Sequence, residues 1–142
     1  MRQSFLILLL MFVASLSTQS ALGFVEFHKE WVKLHVDDKD QSKEAKEYEK
    51  LVAKGKYRCF TCHQGKKKTN HNPYGMHFVG VLTKDDKKDT DKIIATLKEV
   101  AAKKVDPSDE KSKTYADLIK EKKFPGGELE DLEKEPETEE KK

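Results

Sequence analysis

Residues Cys59-Phe60-Thr61-Cys62-His63 decide how the rest of this chain is read. Two thiols separated by two residues, with a histidine directly behind, give the C-x-x-C-H spacing of a covalent haem attachment site. Each thiol adds across one vinyl group of the porphyrin, and the gap between them matches the spacing of the two vinyls. The adjacent imidazole is then held beneath the iron as its proximal ligand. On this reading Cys59 and Cys62 carry one haem c, and His63 ligates its iron.

Other chemistries use the same letters. A C-x-x-C redox pair sits within a βαβ pattern, and no such pattern surrounds residue 59. A zinc site would draw on Cys59, Cys62, His71 and His77, a loose C-x-x-C…H…H set. The stretch between Cys62 and His71 is short for a finger, and it carries Lys66, Lys67 and Lys68 instead of apolar residues. A plain disulfide between the two thiols would close a tiny loop and restrain little of the unfolded chain.

The first residues favour haem. Arg2 is followed by an almost continuous apolar run from Phe5 to Leu16, then by Ala21-Leu22-Gly23. That is the layout of a secretory signal peptide over residues 1–23, too short for a comfortable membrane span. The mature chain is expected to begin at Phe24 and to be exported to the periplasm or an equivalent compartment, with no stable membrane insertion after cleavage. Haem is attached to C-x-x-C-H outside the bacterial cytoplasmic membrane, so export and motif agree. Cysteine is used twice in the whole chain, which suits an oxidising compartment where a spare thiol invites wrong pairing.

The 142 residues hold 28 Lys and Arg against 26 Asp and Glu, a net charge of +2. Charge so nearly balanced argues against nucleic acid as a partner. One domain is expected over residues 24–127, with a small protein core to which a haem would add apolar surface. The charge is unevenly spread. Lys66-Lys67-Lys68 follows the motif, either as a solvated run or as a docking patch that steers an acidic redox partner. Residues 128–142 are rich in Glu and Lys, lack aromatics, and read as a disordered acidic tail.

Between these ends the pattern is helical, with no strand alternation. Phe24, Phe27, Trp31 and Leu34 form an apolar stripe over 24–36. Ala45, Tyr48, Leu51 and Val52 share a face of a helix over 42–57 that delivers the chain into the motif. A loop over 64–73 follows, then a short helix from Tyr74 with Phe78, Val81 and Leu82 on one face. Residues 83–91 read as an exposed connector. Ile93, Ile94, Leu97, Val100 and Ala101 give an amphipathic helix capped by Asp89 or Thr90. Asp106-Pro107 reads as N-cap and first residue of a last helix, with Tyr115, Leu118 and Ile119 inward. Phe124-Pro125-Gly126-Gly127 stops it.

Helix, C-x-x-C-H, Gly/Lys loop, further helices and an aromatic-bearing last helix, in that order, resemble cytochrome c. Over residues 24–127 the chain is more closely similar to small exported monohaem c-type cytochromes of planctomycetes, anammox bacteria included. The residues that carry the resemblance are Cys59, Cys62 and His63, Gly65-Lys66-Lys67-Lys68, Asn72-Pro73-Tyr74-Gly75, and Thr114-Tyr115-Ala116-Asp117-Leu118-Ile119 before Pro125-Gly126. The resemblance implies an all-α, cytochrome c-like domain wrapped around one covalent haem. It also implies that the loop after the motif runs down the proximal side, where a backbone carbonyl, placed by sequence at Asn72-Pro73, accepts a hydrogen bond from His63. His71, Met76 and His77 then lie on the proximal side, with Met76 as a packing residue.

What the haem does depends on its distal face. His28 and His35 are seven residues apart on one side of the first helix, flanking Trp31. His28, surrounded by Phe24, Phe27 and Trp31, is the first choice as distal iron ligand, and His35 is the second. An open face under Phe27 and Trp31 is the alternative. A closed face makes the chain an electron carrier for a redox protein or a second small cytochrome. An open one makes it a binder or sensor of NO or CO. No distal acid–base constellation suggests an enzyme.

Overall fold

The computed structural model describes residues 25–137; the signal-peptide expectation therefore lies outside the described residues. Those residues form helices and no strand, so the fold is all-α. The elements are α1 (Val25–His35), α2 (Lys43–Val52), α3 (Pro73–Met76), α4 (Thr90–Ala101), α5 (Tyr115–Lys120) and α6 (Leu129–Leu132), with 3₁₀ helices at Lys56–Thr61 and Lys84–Lys88. None is long and apolar enough to cross a membrane among the described residues.

Helix α1 follows from its stripe. Phe27, Trp31 and Leu34 recur at helical spacing, and Trp31 is almost fully enclosed. Glu26 in the first turn and Lys33 in the last suit the helix dipole. Asp37 ends the segment by accepting from the Lys39 N–H at 2.9 Å. Trp31 then donates its indole N–H to the Tyr74 hydroxyl at 3.0 Å, tying α1 to α3. Helix α1 also packs on α4, whose Ile93, Leu97 and Val100 are buried. Asp89 caps α4 by accepting from the Lys92 N–H, as its sequence suggests.

Helix α2 is capped by Ser42, whose hydroxyl accepts from the Ala45 N–H, and buries Ala45, Tyr48 and Val52. It ends at Val52, short of the expected residue 57, and the chain rewinds as the 3₁₀ helix that holds Cys59. The Tyr48 hydroxyl donates to the Lys123 carbonyl at 3.1 Å and joins α2 to the end of α5. Tyr74, Tyr115, Ile119 and Phe124 complete the core.

Three further expectations are corrected. The helix from Tyr74 is only α3; turns carry the chain on to Leu82, and Val81 is 47% exposed. No helix starts at Asp106-Pro107. Asp106 instead accepts from the Ser108 N–H and hydroxyl, and the chain closes as a loop through Val105 N–H to Lys113 O and Tyr115 N–H to Lys103 O. Helix α5 begins at Tyr115, where Thr114 and Asp117 cap each other's backbone N–H groups. Part of the expected tail also takes helical structure, as α6. Leu132 of α6 is buried, at 2% exposure, and Leu129 packs beside it, because a pair of leucines three apart suffices to seat one helical turn.

Candidate functional site

The motif is wound tightly. Both the Cys62 and His63 N–H groups donate to the Cys59 carbonyl, at 3.2 and 2.9 Å. Both thiols are free, with Cys59 exposed and Cys62 half-buried. Burial, and secondarily Cys59, pushes the Cys62 thiol up to about 12. Its thiolate is disfavoured at neutral pH, so Cys62 is no ready nucleophile. The zinc rival loses its geometry. His77 lies against Tyr115, ring to ring at 5.5 Å, and no three His, Cys, Asp or Glu side chains converge as a metal would require among the described residues.

The loop after the motif places His63. Its Nδ1 lies 3.2 Å from the Asn70 carbonyl oxygen; a carbonyl can only accept, so Nδ1 carries the proton and Nε2 has its lone pair free. The acceptor is thus Asn70, two residues before the expected Asn72-Pro73. Desolvation lowers the His63 pKa, helped by His71 and Lys68 and opposed by the Asn70 bond. A neutral imidazole fixed at one nitrogen and open at the other is the form that ligates metal.

Asn72 has a different task. Fully buried, it donates its amide to the Phe60 and His63 carbonyls at 2.8 and 3.3 Å. Its Oδ1 accepts from the Gly75 N–H at 2.8 Å, and its own N–H donates to the Cys62 carbonyl at 3.1 Å. One side chain therefore caps α3 and pins it to the motif. Two glycines make room for this. A Cβ at Gly75 would lie 1.9 Å from the Cys62 carbonyl oxygen, and one at Gly126 would lie 2.1 Å from the Asn72 amide nitrogen. Asn72-Pro73 stands in the sequence as an N-cap followed by Pro at the first helical position, which signals a helix start; the grip of Asn72 and Gly75 on the motif is tertiary.

His71 lies beside His63, ring centroids 4.7 Å apart. Met76 does not pack; it is 57% exposed. On α1 the two histidines differ. His28 donates Nε2–H to the Val52 carbonyl at 2.7 Å, and desolvation lowers its pKa. His35 has a buried Nε2 with no hydrogen-bond partner, and desolvation lowers its pKa to about 4. Both flank Trp31, with ring centroids at 6.3 and 5.2 Å.

Cys59, Phe60 and His63 open onto a groove of about 180 Å³ rimmed by Lys56, Lys66, Lys67 and Lys68. A larger hollow, about 400 Å³ between α2 and the end of α5, holds none of the motif. Two free thiols, an imidazole open at Nε2 and an apolar floor at Phe60 fit a covalently attached haem. Compared with known proteins, the chain matches no family model, no curated protein and no solved structure.

Proposed function

We propose that this chain is an exported monohaem c-type cytochrome, as its sequence resemblance implies, and that its haem transfers electrons, as general haem chemistry suggests. The observation that carries the reading is the His63 Nδ1–H bond to the Asn70 carbonyl, which leaves Nε2 free beside Cys59 and Cys62. Second-shell bonds of this kind orient a ligating imidazole and raise its basicity. A haem bound here supplies a one-electron redox iron. Cys59 and Cys62 hold it by thioether bonds, and His63 is the proximal ligand.

The distal ligand comes from α1 in this reading. His28 must give up its Val52 bond to ligate, a loss of about 1 kcal/mol. His35 gives up nothing, since its Nε2 has no partner, and it stands as an equal candidate to the first choice, His28. An acidic redox partner docks at the lysine-rimmed groove, its approach steered by Lys56 and Lys66 to Lys68.

The test is intact mass and absorption spectroscopy of protein made in a host that matures c-type cytochromes. A mass gain of one haem, lost in Cys59→Ser/Cys62→Ser, is the expected result; an unmodified mass would falsify the reading. A six-coordinate low-spin spectrum that CO leaves unchanged supports electron transfer. Prompt CO binding by the reduced protein overturns the closed distal face and assigns the chain to NO or CO binding. His28→Ala and His35→Ala, read by the same spectra, name the distal ligand.

A further inference from the structure

Three hydrogen bonds and a buried leucine lay the acidic tail onto the loop that orients His63. The Gly65 N–H donates to the Leu132 carbonyl at 2.8 Å. The Lys66 N–H donates to Glu135 Oε1 at 2.9 Å, and the Asn70 side-chain amide donates to Glu135 Oε2 at 2.9 Å. A weaker fourth contact runs from the Gln64 amide to the Asp131 carbonyl at 3.3 Å. The segment is anchored from behind, because Leu132 is buried in the core. Glu135 thus grips both ends of the 66–70 turn with one carboxylate.

That turn is the support of the proximal histidine. The Asn70 carbonyl takes two donors, the Gln64 N–H at 3.1 Å and His63 Nδ1–H at 3.2 Å, while the Asn70 N–H donates to Lys67 O at 3.0 Å. The His63 bond sits at the long end of the N–H···O range, so a few tenths of an ångström at Asn70 decide whether it persists. Holding Asn70 from its side chain is therefore a direct control on the imidazole.

We infer that Glu135 is a positioning residue for the haem ligand: through Asn70 it fixes the carbonyl that accepts from His63, and so sets the electron density His63 gives the iron. The C-terminal segment is then a strap across the proximal loop, part of the redox site and not an appendage. A firm bond at Nδ1–H makes the imidazole a stronger donor and favours the oxidised iron. Releasing the strap weakens that bond and raises the reduction potential.

The inference rests on the haem reading, and the experiment separates the two. Full-length holoprotein is made as wild type, Glu135→Ala, Asn70→Ala, the double variant and Glu137→Gln. The readouts are intact mass, reduction potential by spectroelectrochemistry, and solvent exchange of the His63 Nδ1 proton by NMR on the reduced protein. Glu135→Ala is expected to raise the potential and to speed that exchange about tenfold, the size of one hydrogen bond. Asn70→Ala keeps the backbone carbonyl and every charge, yet is expected to do the same. The double variant should go no further than either single one, as coupled residues do. Glu137→Gln removes a charge from the same tail and should leave the exchange unmoved. If Glu135→Ala shifts the potential while Asn70→Ala does not, the effect is charge alone and the inference falls. Full haem mass with unmoved exchange in both variants also overturns it and leaves the haem reading standing. Missing haem mass in wild type overturns that reading and the inference with it.

Discussion

Two flanks of the molecule are held differently: the loop from Cys59 to Met76 is fixed by polar bonds between named atoms, and α1 is fixed by aromatic contact around Trp31. In the loop, Asn72 spends its side chain on three backbone groups of the motif and α3, and Asn70 serves both His63 and Glu135. On α1, Trp31 has His28 and His35 as ring neighbours and makes one hydrogen bond, to Tyr74. The polar flank tolerates no displacement, since each bond fails beyond a few tenths of an ångström. The aromatic flank holds by area and can shift while staying buried. A firmly held His63 beside a more adjustable aromatic packing suits the proposed role, in which one histidine must be presented without fail.

The largest effect is expected where the polar flank meets backbone. Gly75→Ala puts its Cβ 1.9 Å from the Cys62 carbonyl oxygen, an atom that cannot rotate away. Urea unfolding should show a loss above the ~1–3 kcal/mol of ordinary overpacking, with haem attachment impaired because Cys62 itself is displaced. Asn72→Ala comes next. It removes an N-cap and orphans the Phe60 carbonyl, costing about 2–3 kcal/mol. Trp31→Phe tests the aromatic flank: the ring refills most of the space and only the Tyr74 bond goes, about 1–2 kcal/mol. If Trp31→Phe proved costlier than Asn72→Ala, the contrast between the flanks would be reversed.

What the sequence made legible follows the same divide. Helices α1, α2 and α4 were readable because their apolar residues repeat at helical spacing, and Ser42 and Asp89 stand where caps belong. Asp106 misled because the same side chain that caps a helix also closes a turn, and here Ser108 is its partner. The true start was written as Thr114-x-x-Asp117, a capping box in plain sight. The tail misled for another reason. Its composition forbids a core of its own, but not a seat on someone else's, and the Gly65 N–H and the space that takes Leu132 are supplied by distant residues. The C-x-x-C-H motif is read from spacing alone; Asn70 as the partner of His63 was not legible, because that role depends on how an irregular loop folds.

A smaller and pH-dependent difference should appear on the aromatic flank. Burial lowers His35 from 6.5 to about 4. Between those values the unfolded chain binds a proton that the folded chain refuses, so stability declines as pH falls through the window. Above it both states are neutral, and below it both are charged, so His35 adds no further slope. His35→Leu should flatten part of the decline between roughly pH 6.5 and 4 in urea midpoints. The slope that stays includes the other four histidines, His28, His63, His71 and His77, all lowered in the same direction by desolvation. A decline identical to wild type would mean that His35 titrates freely and that its ring is not enclosed beside Trp31.

The smallest structural effect, and a larger kinetic one, is expected at the lysine rim. Lys66, Lys67 and Lys68 are exposed, and the bonds that hold their turn run through the Lys66 N–H and the Lys67 carbonyl, not through ammonium groups. Replacing all three with Ser should therefore leave stability within about 0.5 kcal/mol. Association with an acidic redox protein should slow and lose much of its salt dependence, since screening acts only on charges that steer. Glu135 lies against the same turn, so the field an incoming protein meets is less than three full charges. Glu135→Gln should for that reason speed association at low salt while the triple lysine variant slows it, and stopped-flow rates at two ionic strengths compare them. Rates that ignore both changes would place the docking face elsewhere than this groove and leave the lysines as a solvated run.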